Sequence, residues 1–175
     1  MSLDWSLFFS QELYFEEVVN GINVIHHVYF TPPSNNGPLF VMHHGAGSSG
    51  LSFAACAEEI QKILPNAGLI SPDARDHGST MITSGVEGGS VELDLNLETL
   101  SRDLVFVISA VRLKMDWETL PDIVLVGHSL GGAVITDVAK KGELGSKLLA
   151  YAVLDVVEGT SNHRLRFISL FAEYR

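Results

Sequence analysis

The sequence has little cysteine, little positive charge and no long apolar run, and each scarcity excludes a class of protein. Cys56 is the single cysteine among 175 residues, so an intrachain disulfide framework is excluded. Lysine and arginine number 11 against 21 aspartate and glutamate residues, which gives a formal net charge of -10. That balance argues against a general surface for nucleic acid or anionic membranes. No apolar run approaches the roughly 18 residues that span a bilayer.

Composition and the N-terminal segment describe a globular chain without a recognisable export signal. Hydrophobic residues make up 46% and charged residues 18%, which excludes a disordered composition, and 175 residues fit one domain. Asp4 and Glu12 interrupt an apolar start that lacks basic residues, unlike a secretory signal peptide. We therefore expect a cytoplasmic and/or nuclear protein. Cys56, in the apolar sequence SFAAC, is interpreted as a core residue and not as a reactive thiol.

Apolar strands alternate with amphipathic helices along most of the chain. Asn20-Gly21 separates two β-rich runs and predicts a hairpin turn. Period-2 and period-3.6 patterns predict further strands at 39–43, 69–71, 123–126 and 149–156, the last fully buried, and helices at 51–64, 97–114 and 132–140. The Gly- and Ser-rich stretch at 81–96 predicts a surface loop. Together they predict an α/β fold: a mostly parallel sheet flanked by helices, with an N-terminal antiparallel hairpin.

The sequence IVLVGHSLGGAV predicts a sharp strand–turn–helix junction around Ser129. Gly127 and Gly131 flank the serine because a Cβ atom at either position would collide with the tight backbone. At such a junction Ser129 is the candidate nucleophile, and the Leu130 N–H points from the helix start towards a developing oxyanion. The alternative interpretation is a glycine-rich helix start at which Ser129 is an N-cap residue.

A glycine-rich turn follows the predicted strand at 39–43, with the sequence His43-His44-Gly45-Ala46-Gly47. An oxyanion hole needs a second N–H donor from the loop after the third strand, and by position Ala46 is the candidate. We interpret His43 and His44 as residues that orient this loop through hydrogen bonds. A metal site is the alternative, disfavoured because adjacent histidines on a strand point to opposite faces.

Polar residues also follow two other predicted strands. Asp155 ends an apolar strand, where it is either a loop cap or, in combination with Ser129, the carboxylate that orients a catalytic histidine. The turn at 73–79, DARDHGS, follows another strand. We expect Arg75 and His77 to hold loops together by hydrogen bonds, with substrate contact as the alternative. All of these turns fall at carboxyl ends of strands, where parallel sheets bind their ligands.

These motifs together resemble the α/β-hydrolase fold and, more narrowly, the protein phosphatase methylesterase 1 family. The resemblance runs from about Trp5 to Thr160 and is carried by the segments WSLFF, HHGAGSSGLSF, ARDHGS, LVGHSLGGAV and LDVVEGT. The last segment separates this family from generic lipases and esterases, which share the junction around the serine. The residues taken alone indicate only a serine esterase or related hydrolase.

The resemblance implies a reaction, a partner and a set of residues. The reaction is removal of a methyl ester from the C-terminal leucine carboxylate of the protein phosphatase 2A catalytic subunit, which is the implied partner. By motif position Ser129 is the nucleophile and Asp155 the acid of the triad, while Ala46 and Leu130 donate backbone N–H groups to the oxyanion. Acyl transfer through an acyl-enzyme requires neither a metal nor an organic cofactor.

The resemblance ends near Thr160, so we divide the chain into a partial α/β-hydrolase domain at 1–160 and a divergent tail at 161–175. The later strands of the family, and the histidine that follows them, have no counterpart in the tail. His163 follows Asp155 too closely to be interpreted as the general base. We therefore expect an incomplete triad, an exposed sheet edge at the strand that ends in Asp155, and a tail produced by readthrough, splicing or gene modelling.

Three functions stay open at the level of sequence. The first is a phosphatase methylesterase that is catalytically impaired as the chain stands. The second is a different α/β hydrolase, such as a lipase or an esterase of small esters. The third is a non-catalytic module that binds the phosphatase without removing its methyl group. Turnover of a methylated leucine peptide, turnover of short acyl esters only, and binding without methanol release separate the three.

Overall fold

The computed structural model describes residues 4–84 and 93–155 in full, and the backbone of residues 169–172. The described strands are β1 (Gln11–Val19), β2 (Ile22–Thr31), β3 (Leu39–His43), β4 (Gly68–Pro72), β5 (Met81–Ser84), β6 (Ile123–His128), β7 (Leu148–Leu154) and β8 (Ser169–Ala172). The helices are α1 (Ala54–Ile63), α2 (Leu97–Lys114) and α3 (Leu130–Lys141), and short 3-10 turns lie at Trp5–Leu7, Gly50–Phe53 and Gly145–Lys147.

The strands form one mixed sheet with a parallel centre. Its order is β1-β2-β4-β3-β6-β7-β8, and β5 pairs with β2 outside this path. Strand β3 pairs in parallel with both β4 and β6, and β6 pairs in parallel with β7, whereas the β1–β2, β2–β4, β2–β5 and β7–β8 pairs are antiparallel. The predicted fold class is confirmed, with antiparallel strands at both sides of the parallel centre.

Helices cover both faces of the sheet because each strand of the centre is apolar on both sides. One core packs α2 and α3 against the sheet, with Leu104, Val111 and Ile135 among its buried residues. The other packs α1 and the N-terminal aromatic residues against the opposite face, around Met42 and Phe53. Cys56 is half-buried against this second core, as expected of a packing residue.

The N-terminal hairpin forms as predicted and is longer than its apolar runs suggest. Asn20 and Gly21 both have positive φ, 51° and 75°, the conformation that a two-residue hairpin turn requires. The pairing then runs without interruption from Val19 opposite Ile22 to Gln11 opposite Phe30. The predicted β-rich run begins at Glu16, whereas β1 begins at Gln11, because the polar residues Gln11 and Glu12 start the strand and weaken its apolar pattern.

Three predictions about the sheet are wrong. Residues 81–84 are not loop but strand β5, which pairs with the first half of β2 while β4 pairs with the second half. Strand β7 is half-buried, whereas the sequence predicts a fully buried strand. Within the described part of the chain, one helix, α3, packs closely against it, so its other face is less covered. The edge of β7 is not exposed either, because β8 pairs with it from Ala150 to Val153.

Within the described ranges, none of the helices is both long enough and apolar enough to cross a membrane. Helix α2 is the longest of them and is amphipathic, with one buried face and a charged C-terminal end at Arg112 and Lys114.

A matched pair of substitutions in α2 tests the assigned core. Leu104 is buried under the sheet, whereas Leu113, on the same helix, is 77% exposed. We expect Leu104→Ala to lower the free energy of unfolding by about 2–5 kcal/mol, because it removes buried contacts and leaves a cavity. Leu113→Ala should change it by roughly 0.5 kcal/mol or less. Urea denaturation of both variants measures the difference, and equal effects would contradict this packing of α2.

Candidate active site

Ser129 occupies the tight junction between β6 and α3. Its backbone angles, φ 52° and ψ -119°, lie in a region that non-glycine residues rarely adopt and that costs of the order of 1–3 kcal/mol. Its side chain is exposed, and its hydroxyl has no hydrogen-bond partner among the described residues. The strained turn therefore presents the hydroxyl at the carboxyl edge of the sheet, as the sequence pattern predicts.

The glycines around Ser129 are required by close backbone contacts. A Cβ atom on Gly127 would lie 2.6 Å from the carbonyl carbon of Gly131. A Cβ atom on Gly131 would lie 2.7 Å from the carbonyl oxygen of His44, the residue that follows β3. Since real Cβ contacts are longer than this, both positions exclude larger residues, and the prediction for Gly127 and Gly131 is confirmed. The second contact also shows that the start of α3 packs directly on the loop after β3.

The loop after β3 lies beside the serine. A methyl group on Gly45 would lie 3.0 Å from Ser129 Cβ and 3.1 Å from His128 Nδ1. The Ser48 N–H donates to the Gly45 carbonyl at 3.2 Å, which closes a turn with Ala46 and Gly47 at its centre. In the described structure the N–H groups of Ala46 and Leu130 have no backbone or side-chain acceptor. Both N–H groups are therefore free to donate, that of Ala46 on the loop after β3 and that of Leu130 at the first residue of α3.

His43 and His44 bind the loop through their rings, as expected. His44 Nδ1 donates to the Gly45 carbonyl at 2.8 Å, and its Nε2 accepts the Ala74 N–H at 2.8 Å. His43 Nδ1 donates to the His44 carbonyl at 3.0 Å. The expectation that the two rings point to opposite faces is wrong, since they stack 5.7 Å apart. His44 lies beyond the end of β3, where the alternation of a strand no longer applies.

Burial keeps both of these histidines neutral. Desolvation, the largest influence, together with the neighbouring His44, lowers the pKa of His43 to about 4. Desolvation also lowers the pKa of His44, against the opposing effect of its hydrogen bond to the Gly45 carbonyl. A neutral His44 is what its two hydrogen bonds require, because Nε2 accepts only when it carries no proton.

The turn after β4 holds the loop from the other side, through the two residues singled out in the sequence. His77 Nε2 accepts the Gly47 N–H at 3.0 Å, and its Nδ1 donates to the Arg75 carbonyl at 2.8 Å. The Arg75 guanidinium is buried and donates to both carboxylate oxygens of Asp103 in α2, at 2.7 and 2.8 Å. The expected loop-holding role is confirmed for His77, whereas the Arg75 side chain fixes the turn after β4 to helix α2 and not to another loop.

Asp73 is a site residue that the sequence reasoning did not single out. Its buried carboxylate accepts the Gly50 N–H at 2.7 Å, the Ser79 N–H at 2.8 Å and His27 Nδ1 at 2.7 Å. Burial, the largest influence on its pKa, raises it, but these hydrogen bonds together lower the pKa below its ordinary value. Asp73 thus joins the end of the serine-facing loop to the hairpin and to its own turn.

His27 extends this network to the surface of the hairpin. Its Nε2 lies 2.7 Å from the Glu12 carboxylate while its Nδ1 binds Asp73, so both ring nitrogens face carboxylates. Its ring also packs edge-on against Tyr29, with the centroids 4.5 Å apart. The only signal in the sequence was a pair of adjacent histidines, His26 and His27, in a largely apolar strand, which does not identify partners that lie so far along the chain.

One group of side chains has the composition of a metal site. Atoms of Glu17, His26 and Asp103 lie within 4.8 Å of one another. However, the Asp103 carboxylate already binds Arg75, and Arg102 lies 2.9 Å from Asp103 and 3.8 Å from Glu17. These two guanidinium groups neutralise the carboxylates, so the cluster is better described as an ion-pair network than as a cation site.

Asp155 follows β7 at the same edge of the sheet as Ser129. The Ser129 N–H donates to the Leu154 carbonyl at 2.9 Å, which ties the serine turn to the residue before Asp155. Asp155 is exposed, has a positive φ of 51°, and binds no side chain in the described part of the structure. His163 lies outside the described residues. The structure therefore brings Ser129, Ala46, Leu130 and the Asp155 turn to one edge.

Comparisons with known proteins identify the family to which the chain belongs. A family model described as the alpha/beta hydrolase family matches residues 40–173. Proteins named protein phosphatase methylesterase 1 are 64% identical in Aspergillus oryzae, over 99% of this chain and 41% of the relative, and 47% identical in Neurospora crassa, over 99% and 43%. The relative of that name in Schizosaccharomyces pombe is 34% identical, over 98% and 48%. The chain thus spans somewhat less than half the length of these curated relatives.

Solved structures support the fold at low sequence identity. A thermophilic esterase from Thermogutta terrifontis aligns with a TM-score of 0.62 and 19% identity, covering 87% of this chain and 48% of that one. The thioesterase domain from the curacin biosynthetic pathway aligns with a TM-score of 0.60 and 18% identity, covering 87% and 49%. At these identities the likeness concerns the arrangement of strands and helices.

The lowered pKa of His43 predicts a loss of stability in acid. Unfolding returns the ring to its ordinary pKa of 6.5, so between pH 6.5 and about 4 the unfolded chain binds a proton that the folded chain does not. We expect the free energy of unfolding to fall as pH drops through this window, by up to about 1.4 kcal/mol per pH unit from this group. His43→Asn should weaken this pH dependence of the unfolding free energy, measured by urea denaturation at several pH values. An unchanged pH dependence would contradict the lowered pKa of His43.

The buried pair of Arg75 and Asp103 predicts strong coupling. We expect Asp103→Asn to lower the free energy of unfolding by about 3–5 kcal/mol, because it leaves a buried guanidinium without its counter-ion. Arg75→Met should cost less than Asp103→Asn, because Arg102 still lies 2.9 Å from the Asp103 carboxylate, and the double variant should cost less than the sum of the two. A double-mutant cycle by urea denaturation measures the coupling, and additive effects would argue against the ion pair. Lys62→Met, at an exposed ion pair, serves as the control.

Proposed function

Because this chain belongs to the α/β-hydrolase family, we propose that it is part of a serine carboxylesterase that removes the methyl ester from the C-terminal leucine of the protein phosphatase 2A catalytic subunit. The identity of 64% to a relative named protein phosphatase methylesterase 1 supports the reaction and the protein substrate. The single observation that carries the esterase chemistry is the strained Ser129 turn beside two free N–H groups. A protein substrate also suits a nucleophile that is exposed at the sheet edge.

In the proposed reaction Ser129 Oγ attacks the ester carbonyl of the substrate. A general base takes the hydroxyl proton, and the negative charge develops on the carbonyl oxygen of the tetrahedral intermediate. The N–H groups of Ala46 and Leu130 stabilise that charge, an effect worth roughly 10²–10³-fold in rate per donor. The intermediate collapses as the proton passes to the leaving methoxide, and methanol departs. Water then attacks the acyl-enzyme and releases the free leucine carboxylate.

Asp155 takes the role of the triad acid in this proposal. Its position one residue beyond the carbonyl that accepts the Ser129 N–H supports the role, and its exposed carboxylate is free to accept a hydrogen bond from an imidazole. No histidine among the described residues follows Asp155, where the chain order Ser…Asp…His places the general base, and the rings of His44 and His77 are committed to backbone groups. Loss of a triad member lowers turnover by on the order of 10⁶-fold, so the reactivity of Ser129 reports whether a histidine completes the triad.

Covalent labelling of the serine is the first test of the proposal. We expect a fluorophosphonate probe to label the folded chain, with the adduct mapped to Ser129 by intact-mass and peptide mass spectrometry. Ser129→Ala should abolish labelling because it removes the attacking oxygen. Ser146→Ala removes another exposed serine, in the 3-10 turn before β7, and should leave labelling unchanged. A folded chain that is not labelled would refute an activated nucleophile in this chain.

Substrate choice separates the methylesterase from a general esterase. We expect methanol release from a peptide that ends in leucine methyl ester, and slower release from short acyl esters of similar intrinsic reactivity. Faster turnover of the short esters would support a general esterase instead. Binding of the methylated peptide to the folded Ser129→Ala variant, measured by calorimetry, reports recognition separately from chemistry.

A further inference from the structure

The turn that carries Ala46 has one defined geometry. Gly45 and Ser48 are joined by the closing hydrogen bond, Gly47 has a φ of 72°, and Ala46 is not among the residues with positive φ. In this four-residue turn Gly47 is the third residue, and a positive φ at the third residue alone is the signature of a type II turn. In that turn the peptide between Ala46 and Gly47 is rotated relative to a type I turn. The direction of the Gly47 N–H therefore decides which turn is present.

His77 supplies the acceptor for that N–H, and its own proton is placed elsewhere. Because Nδ1 donates to the Arg75 carbonyl at 2.8 Å, the ring carries its proton on that nitrogen, and Nε2 offers a lone pair to Gly47 at 3.0 Å. The ring also packs against His44, with the centroids 5.1 Å apart. Its carbonyl partner belongs to Arg75, which is fixed to α2 by two hydrogen bonds to Asp103.

We propose that His77 is a positioning residue for the oxyanion donor: its Nε2 holds the Gly47 N–H, which fixes the Gly45–Ser48 turn as a unit and thereby keeps the Ala46 N–H of that turn beside Ser129. This inference rests on the proposed function and adds a residue to it. His77 does not contact the reacting atoms. It acts through the turn, as a rigid link between α2, the turn after β4 and the loop beside the serine.

The expected kinetic signature follows from this indirect role. An oxyanion donor binds the transition state more strongly than the ground state, so disturbing it lowers kcat more than it raises KM. Removing one such donor costs about 10²–10³-fold. A displaced donor should cost less than a missing one, so we expect a fall of about 10–100-fold in kcat with little change in KM.

The test compares two variants of the full chain. His77→Phe keeps a ring against His44 but offers no lone pair to Gly47, whereas in His77→Gln a side-chain carbonyl can accept the same N–H. We expect His77→Phe to raise the exchange rate of the Gly47 amide, measured by NMR, by about tenfold, and His77→Gln to restore its protection. In wild-type protein the ¹⁵N shifts of the His77 ring should show the neutral form protonated at Nδ1.

Kinetics on a leucine methyl ester peptide, or the rate of fluorophosphonate labelling, gives the second readout. We expect His77→Phe to be slower and His77→Gln to recover most of the rate, while Leu113→Ala, on the exposed face of α2, should stay near wild type. Unchanged Gly47 exchange in His77→Phe would overturn the proposal, as would a loss that glutamine does not rescue. If wild-type Ser129 is unreactive the proposed function fails, and the Gly47 exchange still decides the role of His77.

Discussion

The parallel pairing of β3 with β4 on one side and β6 on the other is the constraint on which the candidate site depends. It brings the ends of three strands that are distant in the sequence to one edge, so that His44, Asp73 and Ser129 become neighbours. Strand β7, added in parallel to β6, brings the Asp155 turn to the same edge. Every side chain of the site then needs only a short loop to reach the others, and the apolar strands beneath it provide a rigid base.

Local patterns predict the parts of this site that depend on neighbouring residues. The turn at Ser129, its flanking glycines and the bounds of α2 follow from short-range sterics and periodicity, and the structure agrees with them. The pairing of β5 with β2 escapes such reasoning because MITS is short and half-exposed. The Asp73 network escapes it for another reason, since Gly50, His27 and Ser79 are joined by tertiary contacts that no local spacing encodes.

In the loop beside Ser129, imidazole rings take the place of other backbone groups as hydrogen-bond partners of backbone N–H and carbonyl groups. His44 and His77 each use one nitrogen to donate to a carbonyl and the other to accept an N–H, so each ring bridges two segments that cannot pair as strands. Such bridges satisfy polar groups near the edge of the sheet, where water is partly excluded. They also explain the cluster of histidines in the sequence without invoking a metal.

Strand β2 pairs along a single edge with β5 over its first half and with β4 over its second half. Pro72 lies opposite Val28 and Met81 lies opposite Ile25, so the intervening segment leaves and rejoins the sheet at almost the same place. Residues 73–80 are thereby closed into a compact Ω-shaped loop. The conformational entropy that is lost on closing this loop is lost when the sheet assembles. The groups that brace the serine are thus already ordered before any ester arrives, and substrate binding need not supply that order.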